Sequence, residues 1–494
     1  MSDQFFFPTT GITVRQALLL AIDDYSLPLR KHLCYHVSRP AVRPEPVLTP
    51  SRDHPDRPDY TCTFFYGTVL HDAGKYRMWY YACHPDYDRP GFLKEGPVCY
   101  AESEDGLHFV KPELGQVEWR GSRANNIVAL PDLWIEGAHA IKDDEDPDPS
   151  RRYKIIYNYK HPQSSWTVRS ATSPDGLHWQ GGPVDQYGEF IEHASLYRYN
   201  GLYFVNGQMK QQGEGGHRLG RQAYAIVSPD FNQWIPAWGE SFMLPEPANP
   251  EERGGDKPYD QVHIGVGAAP FGNVLVGLYC IWHNKPYPTP GDWFGMGMTS
   301  GDFGLLVSND GFHFREPVKG HVWLHRDHSP LSFVPPGKVE TIMTQANGIF
   351  NVGDETRIYH GRWANSDRED TYYAEVALAT LPRDRWGAVG LFAEQSEGAI
   401  WSCPVTLPAS GCQVVLNADG AQAMTVEVLD GDFHPLAAFA GEHAGKVQVD
   451  NGLDCPVVWS GNGLAELGGA TVRLKINVRR EGSADPRLYA VYLR

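Results

Sequence analysis

Several things that would place this chain at once are missing from its sequence. The eight cysteines (34, 62, 83, 99, 280, 403, 412 and 455) form no Cys-x-x-Cys pair and no regular framework. That excludes a disulfide scaffold and predicts reduced, mostly buried thiols. There is no Asn-x-Ser/Thr sequon and no Lys/Arg-rich run, and the formal net charge is −17. A nucleic-acid-binding surface is therefore not expected, whereas a neutral or cationic substrate fits. The longest N-terminal apolar run, "ALLLAI", is broken at once by "DD" and has no basic region ahead of it. Neither a signal peptide nor a membrane span is expected, and a cytoplasmic location follows. Helical periodicity is also scarce; only "TVRQALLLAIDD" leaves room for a turn or two.

What is present points to β-structure. Gly (51) and Pro (38) supply many turns, while Tyr (25) and Trp (14) enrich strand-like runs. A chain of 494 residues exceeds one ordinary core, so two domains are expected. A phrase recurs as "SEDGLHF" from Ser103, "SPDGLHW" from Ser173, "SPDFNQW" from Ser228 and "SNDGFHF" from Ser308. Successive copies start roughly 70, 55 and 80 residues apart, a spacing suited to propeller blades with loop insertions. Upstream of each copy lies a strand, a Gly/Asp/Asn turn and a second strand, as in "TFFYGTVLHDAGKYRMWYYA" and "HASLYRYNGLYFVNG".

The pattern predicts an all-β protein: a five-bladed β-propeller over 59–392 with an N-terminal extension, 1–58, packed on it. Blades are placed near 59–130, 131–187, 188–258, 259–336 and 337–392. Residues 393–494 change style to short alternating strands such as "MTVEVLD" and "TVRLKINVRR", and predict a C-terminal β-sandwich.

The repeated phrase itself reads as scaffold. Asp-Gly supplies the positive φ of a tight turn, Ser and Asp bond its backbone, and the closing aromatic packs between blades. A motif present in four blades does not mark one active site, and one carboxylate per copy is too few for a Ca²⁺ cage. The phrase resembles the Asp box of sialidases, but Gly directly after Asp is a departure that counts against sialidase activity.

In a propeller, chemistry belongs at the mouth lined by the inner strands. Acidic residues precede every predicted inner strand: Asp59 (with Asp53 and Asp56), Glu136 in "WIEGAHAI", Glu192 in "FIEHASLY", Asp260 in "YDQVHIGV" and Glu340 in "VETIMTQ". The segment "IEHASLYRYNGLYFVNG" resembles the one carrying the catalytic acid in glycoside hydrolase family 43. "IEGAHAIKDDEDPDPSRRYKIIYN" resembles that family's Ile-Asp-Pro entry, with Glu136 where Asp is usual. "DAGKYRMWYYA" with "CYAESEDGLHF" resembles the first blade of family 32 fructosidases, although the Trp-Met-Asn-Asp-Pro, Arg-Asp-Pro and Glu-Cys elements of that family are missing.

The resemblance implies a glycosidase acting on a small carbohydrate, a furanoside such as a fructosyl or arabinosyl unit. Glu192 would be the general acid, Glu136 its modulator, and Asp59 or Asp260 the base or nucleophile. Like-charge repulsion between Glu136 and Glu192 would keep one carboxyl protonated. His263 would hold a water or a structural Ca²⁺ in the channel; no other cofactor is expected. Asp260, His263, Glu340 and Trp293 are expected to bind substrate, the last from a wall or lid formed by the loop from Pro286 to Gly301 together with Phe294. Two rivals remain open at this level. A phosphorylase of the family 130 type needs basic residues at the mouth, for which Arg52, Arg57 and Arg362 are the candidates. A non-catalytic carbohydrate-binding module needs only aromatics.

Overall fold

A computed structural model describes residues 3–85, 96–132, 135–160, 166–182, 191–210, 221–249, 260–283, 299–333, 340–364, 372–461, 463–482 and 484–494. Trp293 and Phe294 lie outside the described residues. Among the described residues the regular structure is β-strand with short 3-10 turns, as the composition predicts, and no helix is long and apolar enough to cross a membrane.

The N-terminal region supplies β1 (Phe5–Phe7), β2 (Ile12–Val14), β3 (Ala17–Leu20), β4 (Leu29–Lys31), β5 (Leu33–Val37) and β6 (Ala41–Val42). The helical turn expected near "TVRQALLLAIDD" is therefore corrected. Ala17–Leu20 is buried throughout and pairs as a strand, so an available apolar sheet edge outweighs the helix propensity of Ala and Leu.

Next come three antiparallel sheets. The first contains β7 (Cys62–Asp72), β8 (Lys75–Cys83) and β9 (Val98–Ser103). The second contains β10 (Ile135–Lys142), β11 (Tyr153–Lys160), β12 (Trp166–Ser173) and β13 (Gln180–Gly181). The third contains β14 (Glu192–Tyr199), β15 (Leu202–Lys210), β16 (Arg221–Ser228) and β17 (Gly239–Phe242). A nine-stranded sheet follows in two halves joined at one parallel pair, Gly301 with Ile342. Its first half is β18 (Asp260–Phe271), β19 (Val274–His283), β20 (Ser300–Ser308) and β21 (Val322–Leu324). Its second half is β22 (Ile342–Thr344), β23 (Ile349–Val352), β24 (Glu355–Ala364) and β25 (Tyr373–Pro382). The edge of that half is β6, from the N-terminal region; Gly387–Leu391, within the span expected for the fifth blade, pairs elsewhere.

These sheets close a ring. β7 packs on β10, β10 on β14, β14 on β18, and β25 returns to β7. Period-2 alternation builds the seams: Met78 and Tyr80 of β8 face Tyr359 and Leu378, while Trp79 between them faces Ala138 and Tyr157.

The four copies of the repeated phrase stitch those seams. Each Ser Oγ accepts from the backbone N–H three residues on (Gly106, Gly176, Phe231 and Gly311). Each turn also offers a carbonyl to the preceding sheet: Gly176 to Trp79 Nε1 at 3.0 Å, Asp230 to Arg151 at 2.9 Å, Gly311 to Tyr197 at 2.7 Å and Gly106 to Tyr359 at 2.8 Å. The scaffold reading of the phrase is what these contacts express.

The C-terminal strands are β26 (Gly387–Leu391), β27 (Glu397–Trp401), β28 (Val405–Thr406), β29 (Val414–Asp419), β30 (Met424–Asp430), β31 (Gly445–Val447), β32 (Gly452–Val458), β33 (Thr471–Arg479) and β34 (Arg487–Leu493). They take up β1 to β5 in one fourteen-stranded sheet that curls around Ile400, Leu416, Val426, Leu474 and Ile476. β32 makes the bend, pairing with β29 through Gly452–Pro456 and with β31 through Val457 and Val458.

Candidate functional site

Four of the inner strands carry a register shift in their first residues: β7 between Phe64 and Thr68, β10 between Glu136 and Ala138, β14 between His193 and Ser195, and β18 between His263 and Val266. A bulge re-aims side chains and breaks the alternation that would otherwise hide half of them. The bulge in β18 holds Ile264 at φ 54°, a conformation costly for a β-branched residue. In β10 it needs Gly137 at φ 74°; a Cβ there would lie 2.9 Å from His193 Cε1.

The bulges bring Tyr66 and His263 into contact, and the charges of Glu192 and Glu136 reach the Tyr66 hydroxyl. Burial raises the Tyr66 hydroxyl pKa far above that of a free phenol, and the charges of Glu192 and then Glu136 raise it further, against Arg221. Glu136 also bears on the buried phenols Tyr81 and Tyr372, whose pKa values burial raises first. Among the described residues the buried hydroxyls of Tyr81 and Tyr372 have no hydrogen-bond partner. Glu192 accepts a hydrogen bond from the Gln208 side-chain amide, whose oxygen in turn accepts from Ile264 N at 2.9 Å.

The protonation of His263 follows from its partners. Arg221 Nη1 lies 2.8 Å from Nδ1, and a guanidinium only donates, so Nδ1 carries a lone pair. The proton then sits on Nε2 and is donated to the Tyr66 hydroxyl oxygen 2.7 Å away. Tyr66 is left with its own O–H free of His263. Arg221 stacks over Trp282 at 4.6 Å, and His263, Trp282 and Trp363 form an aromatic base. Both ring nitrogens of His263 are thus committed to protein partners. Among the described residues no group of three His, Cys, Asp or Glu could hold a metal ion.

The other sequence-derived acids go elsewhere. Asp59 is fully buried, 2.5 Å from Lys111 Nζ and 2.9 Å from the Tyr80 hydroxyl, and its charge bears on Tyr80 and Cys99. It is tied into the seam behind β8. Asp53 and Asp56 are exposed. Asp260 and Glu340 belong to one network. Asp260 contacts His283 Nδ1 at 2.9 Å, His283 Nε2 contacts Asp302 at 2.8 Å, and Arg326 joins Asp302 at 3.0 Å to Glu340 at 3.1 Å. Burial alone would lower the His283 pKa; the two carboxylates outweigh it and push it up to about 9.

None of the cations nominated for phosphate joins the cluster. Arg362 is buried 2.8 Å from Glu375, Arg57 donates to the Ala124 carbonyl, and Arg52 covers Phe333. The cation that does join it, Arg221, was missed, as were Tyr66 and Gln208. A Tyr-Gly step inside a strand, "FFYGTV", was the one available signal for Tyr66, because Gly in a strand marks a bulge. Gln208 and Arg221 sit on the second and third strands of their sheet, respectively, and carry no sequence signal of this kind.

No protein-family model and no curated protein matches the chain. Solved structures similar to it include a glycosyl hydrolase from Bacteroides ovatus, with 14% identity, 71% of this chain and 95% of that chain covered, and a TM-score of 0.44. A second represents the family 130 mannoside phosphorylases, a family described as containing glycoside hydrolases that target β-1,2 mannosidic linkages in Candida mannan (15%, 72% and 95%, TM-score 0.41). A third is a family 43 arabinoxylan arabinofuranohydrolase from Bacillus subtilis in complex with cellotetraose (12%, 88% and 96%, TM-score 0.37). These similar structures are glycoside hydrolases and related carbohydrate-active proteins, the group whose motifs the sequence resembles.

Proposed function

We propose that the chain is a glycoside hydrolase whose reacting pair is Glu136 and Glu192. The observation that carries this reading is that the charges of both glutamates bear on the buried Tyr66 hydroxyl, which His263 links to Arg221. The ring of sheets is taken as a five-bladed propeller over 59–392, with 1–58 wrapped on it and 393–494 as a β-sandwich. Ring closure through the four Ser-x-Asp turns supports the propeller, and the bend at β32 supports the sandwich.

Breaking a glycosidic bond needs one protonated carboxyl at the leaving oxygen and one ionised carboxylate at the anomeric carbon. Glu192 is assigned as the acid. With Asp59 tied to Lys111, Glu136 takes the base or nucleophile role. Nearby phenolic O–H groups stabilise its ionised form, and the aromatic base suits a sugar ring. Asp260 and Glu340 are assigned to the rim, held by the His283 and Arg326 network.

The substrate is a short oligosaccharide or glycoside. The furanoside expectation rests on motif resemblance, so the test spans aryl fructofuranosides, arabinofuranosides and mannopyranosides, with NMR of the product anomer. Turnover of one class, abolished in both Glu192→Gln and Glu136→Gln with the thermal midpoint unchanged, is the expected result. Full activity in either variant overturns the assignment. Strict dependence on phosphate with release of a sugar 1-phosphate would identify the phosphorylase alternative. Ligand binding without turnover of any glycoside would identify a non-catalytic module.

A further inference from the structure

The outward face of the C-terminal strands carries a second grouping of ligand-type side chains. Along β33 the burial alternates, with Val472, Leu474, Ile476 and Val478 in the core, so Lys475, Asn477 and Arg479 face outward. The register of the neighbouring strands then fixes three rows. Trp401, Lys475 and Glu427 lie side by side; Lys31, Ala399, Asn477 and Thr425 form the next row; Glu397 and Arg479 form the third. In the middle row Ala399 contributes only a methyl group between longer neighbours, which leaves a dent. Trp401, half-buried, stands at its side. The resulting cavity has a volume of about 610 Å³ and includes Gln422 in its wall. That lies within the ~300–1,000 Å³ usual for small-ligand sites.

The charges on this face are balanced. Lys475 holds Glu427 at 2.7 Å, and Glu397 lies directly opposite Arg479. Burial would raise the Glu427 carboxyl pKa, but Lys475 and the Gly441 N–H outweigh it, so the carboxylate stays ionised and able to accept hydrogen bonds. A paired, near-neutral face does not select an ion. An indole beside an amide, a hydroxyl and a fixed carboxylate matches a sugar ring, which has one apolar C–H face and a rim of hydroxyls. We propose that this cavity binds a neutral oligosaccharide or polysaccharide chain, with a sugar ring on Trp401 and its hydroxyls on Asn477 and Glu427. The inference stands on this face alone and does not depend on the hydrolase reading of the ring.

The test is affinity electrophoresis of the full chain in gels containing soluble mannan, arabinoxylan or levan, with polygalacturonate as the anionic control. At least one neutral polymer is expected to retard the wild type, with the apparent Kd rising at least about tenfold in Trp401→Ala and in Asn477→Ala, roughly the loss of one good contact. Both variants are expected to keep the wild-type thermal midpoint; should Trp401→Ala fail to fold, Asn477→Ala on the exposed face gives the same reading. No retardation by any neutral polymer, retardation by polygalacturonate alone, or undiminished retardation in the folded variants overturns the proposal. Because binding is read without turnover, an inactive ring would leave this result standing, and retardation caused by the ring alone would persist in Trp401→Ala and Asn477→Ala.

Discussion

Tyr66 shows how much a single hydroxyl can carry. It accepts from His263 Nε2–H and is kept neutral by burial, and in the proposed site its own O–H serves the carboxylate pair whose charges bear on it. Tyr66→Phe removes both functions while sparing the ring contacts with Phe64 and Tyr81. Losing one such donor costs about 1–3 kcal/mol, so kcat/KM on the substrate found by the glycoside screen should fall roughly tenfold to a hundredfold. A donor stabilises an ionised carboxylate, so its loss should also move the acid limb of the kcat/KM profile to higher pH. A purely structural tyrosine would lower activity without moving that limb, and an unmoved limb would remove Tyr66 from the mechanism. The same logic separates the acids. Asp59→Asn should lower stability through Lys111 and Tyr80, leaving the pH profile in place. Sequence alone could not rank these carboxylates: an acid before a strand looks the same whether a distant lysine meets it or not.

At the scale of the element, the repeated turn was legible because its chemistry is local. Gly106, Gly176 and Gly311 take φ values of 74°, 79° and 85°, and the fourth copy holds Phe231 at 64°. Phe231 accepts that strained backbone because its ring is buried against Tyr203 and Trp234. Gly176→Ala has no such compensation, since its Cβ would lie 2.9 Å from the Trp79 ring. The expected loss is about 1–3 kcal/mol, read from urea unfolding. Phe231→Gly should also destabilise, because relief of the turn does not replace the lost burial; a stabilised variant would refute this account of the turn. The inner-strand bulges were not legible in the same way. They arise where one sheet meets the next, and their sequence trace is a glycine or two among many.

At the scale of the whole molecule, buried imidazoles set the pH range of stability. His139 and His193 share an Nδ1–Nδ1 contact of 2.7 Å, and burial holds His139 well below its ordinary pKa. Burial likewise lowers His193 and His360 to about 3. Below pH 6.5 the unfolded chain takes up protons that these folded imidazoles refuse, so stability falls as the pH falls. The cost is about 1.4 kcal/mol per pH unit per group, roughly 2 kcal/mol each at pH 5. His283 works in the opposite direction: its contribution is complete below its ordinary pKa and is lost as pH rises through about 9. Stability should therefore peak near pH 6.5–7, and His360→Gln should flatten the acid side in urea unfolding series at pH 5, 6 and 7. Equal stability at pH 5 and 7, or an unaltered slope in the variant, would contradict this.

The sequence by itself determined the strands, their turns, the all-β class and the period of the repeat, because each depends on neighbours a few residues away: alternation, positive φ at Gly, and Ser and Asp bonding their own turn. It also singled out Glu136 and Glu192 by their matching place before small-residue strands. Only the tertiary structure decided which groups join them. Ring closure joins Tyr66 to Arg221 through His263, sets the charges of the two glutamates on Tyr66, gives Asp59 to Lys111, and lends the last sheet an edge from Ala41–Val42. Those pairings are settled by contacts between residues far apart in the chain, and no short-range pattern records them.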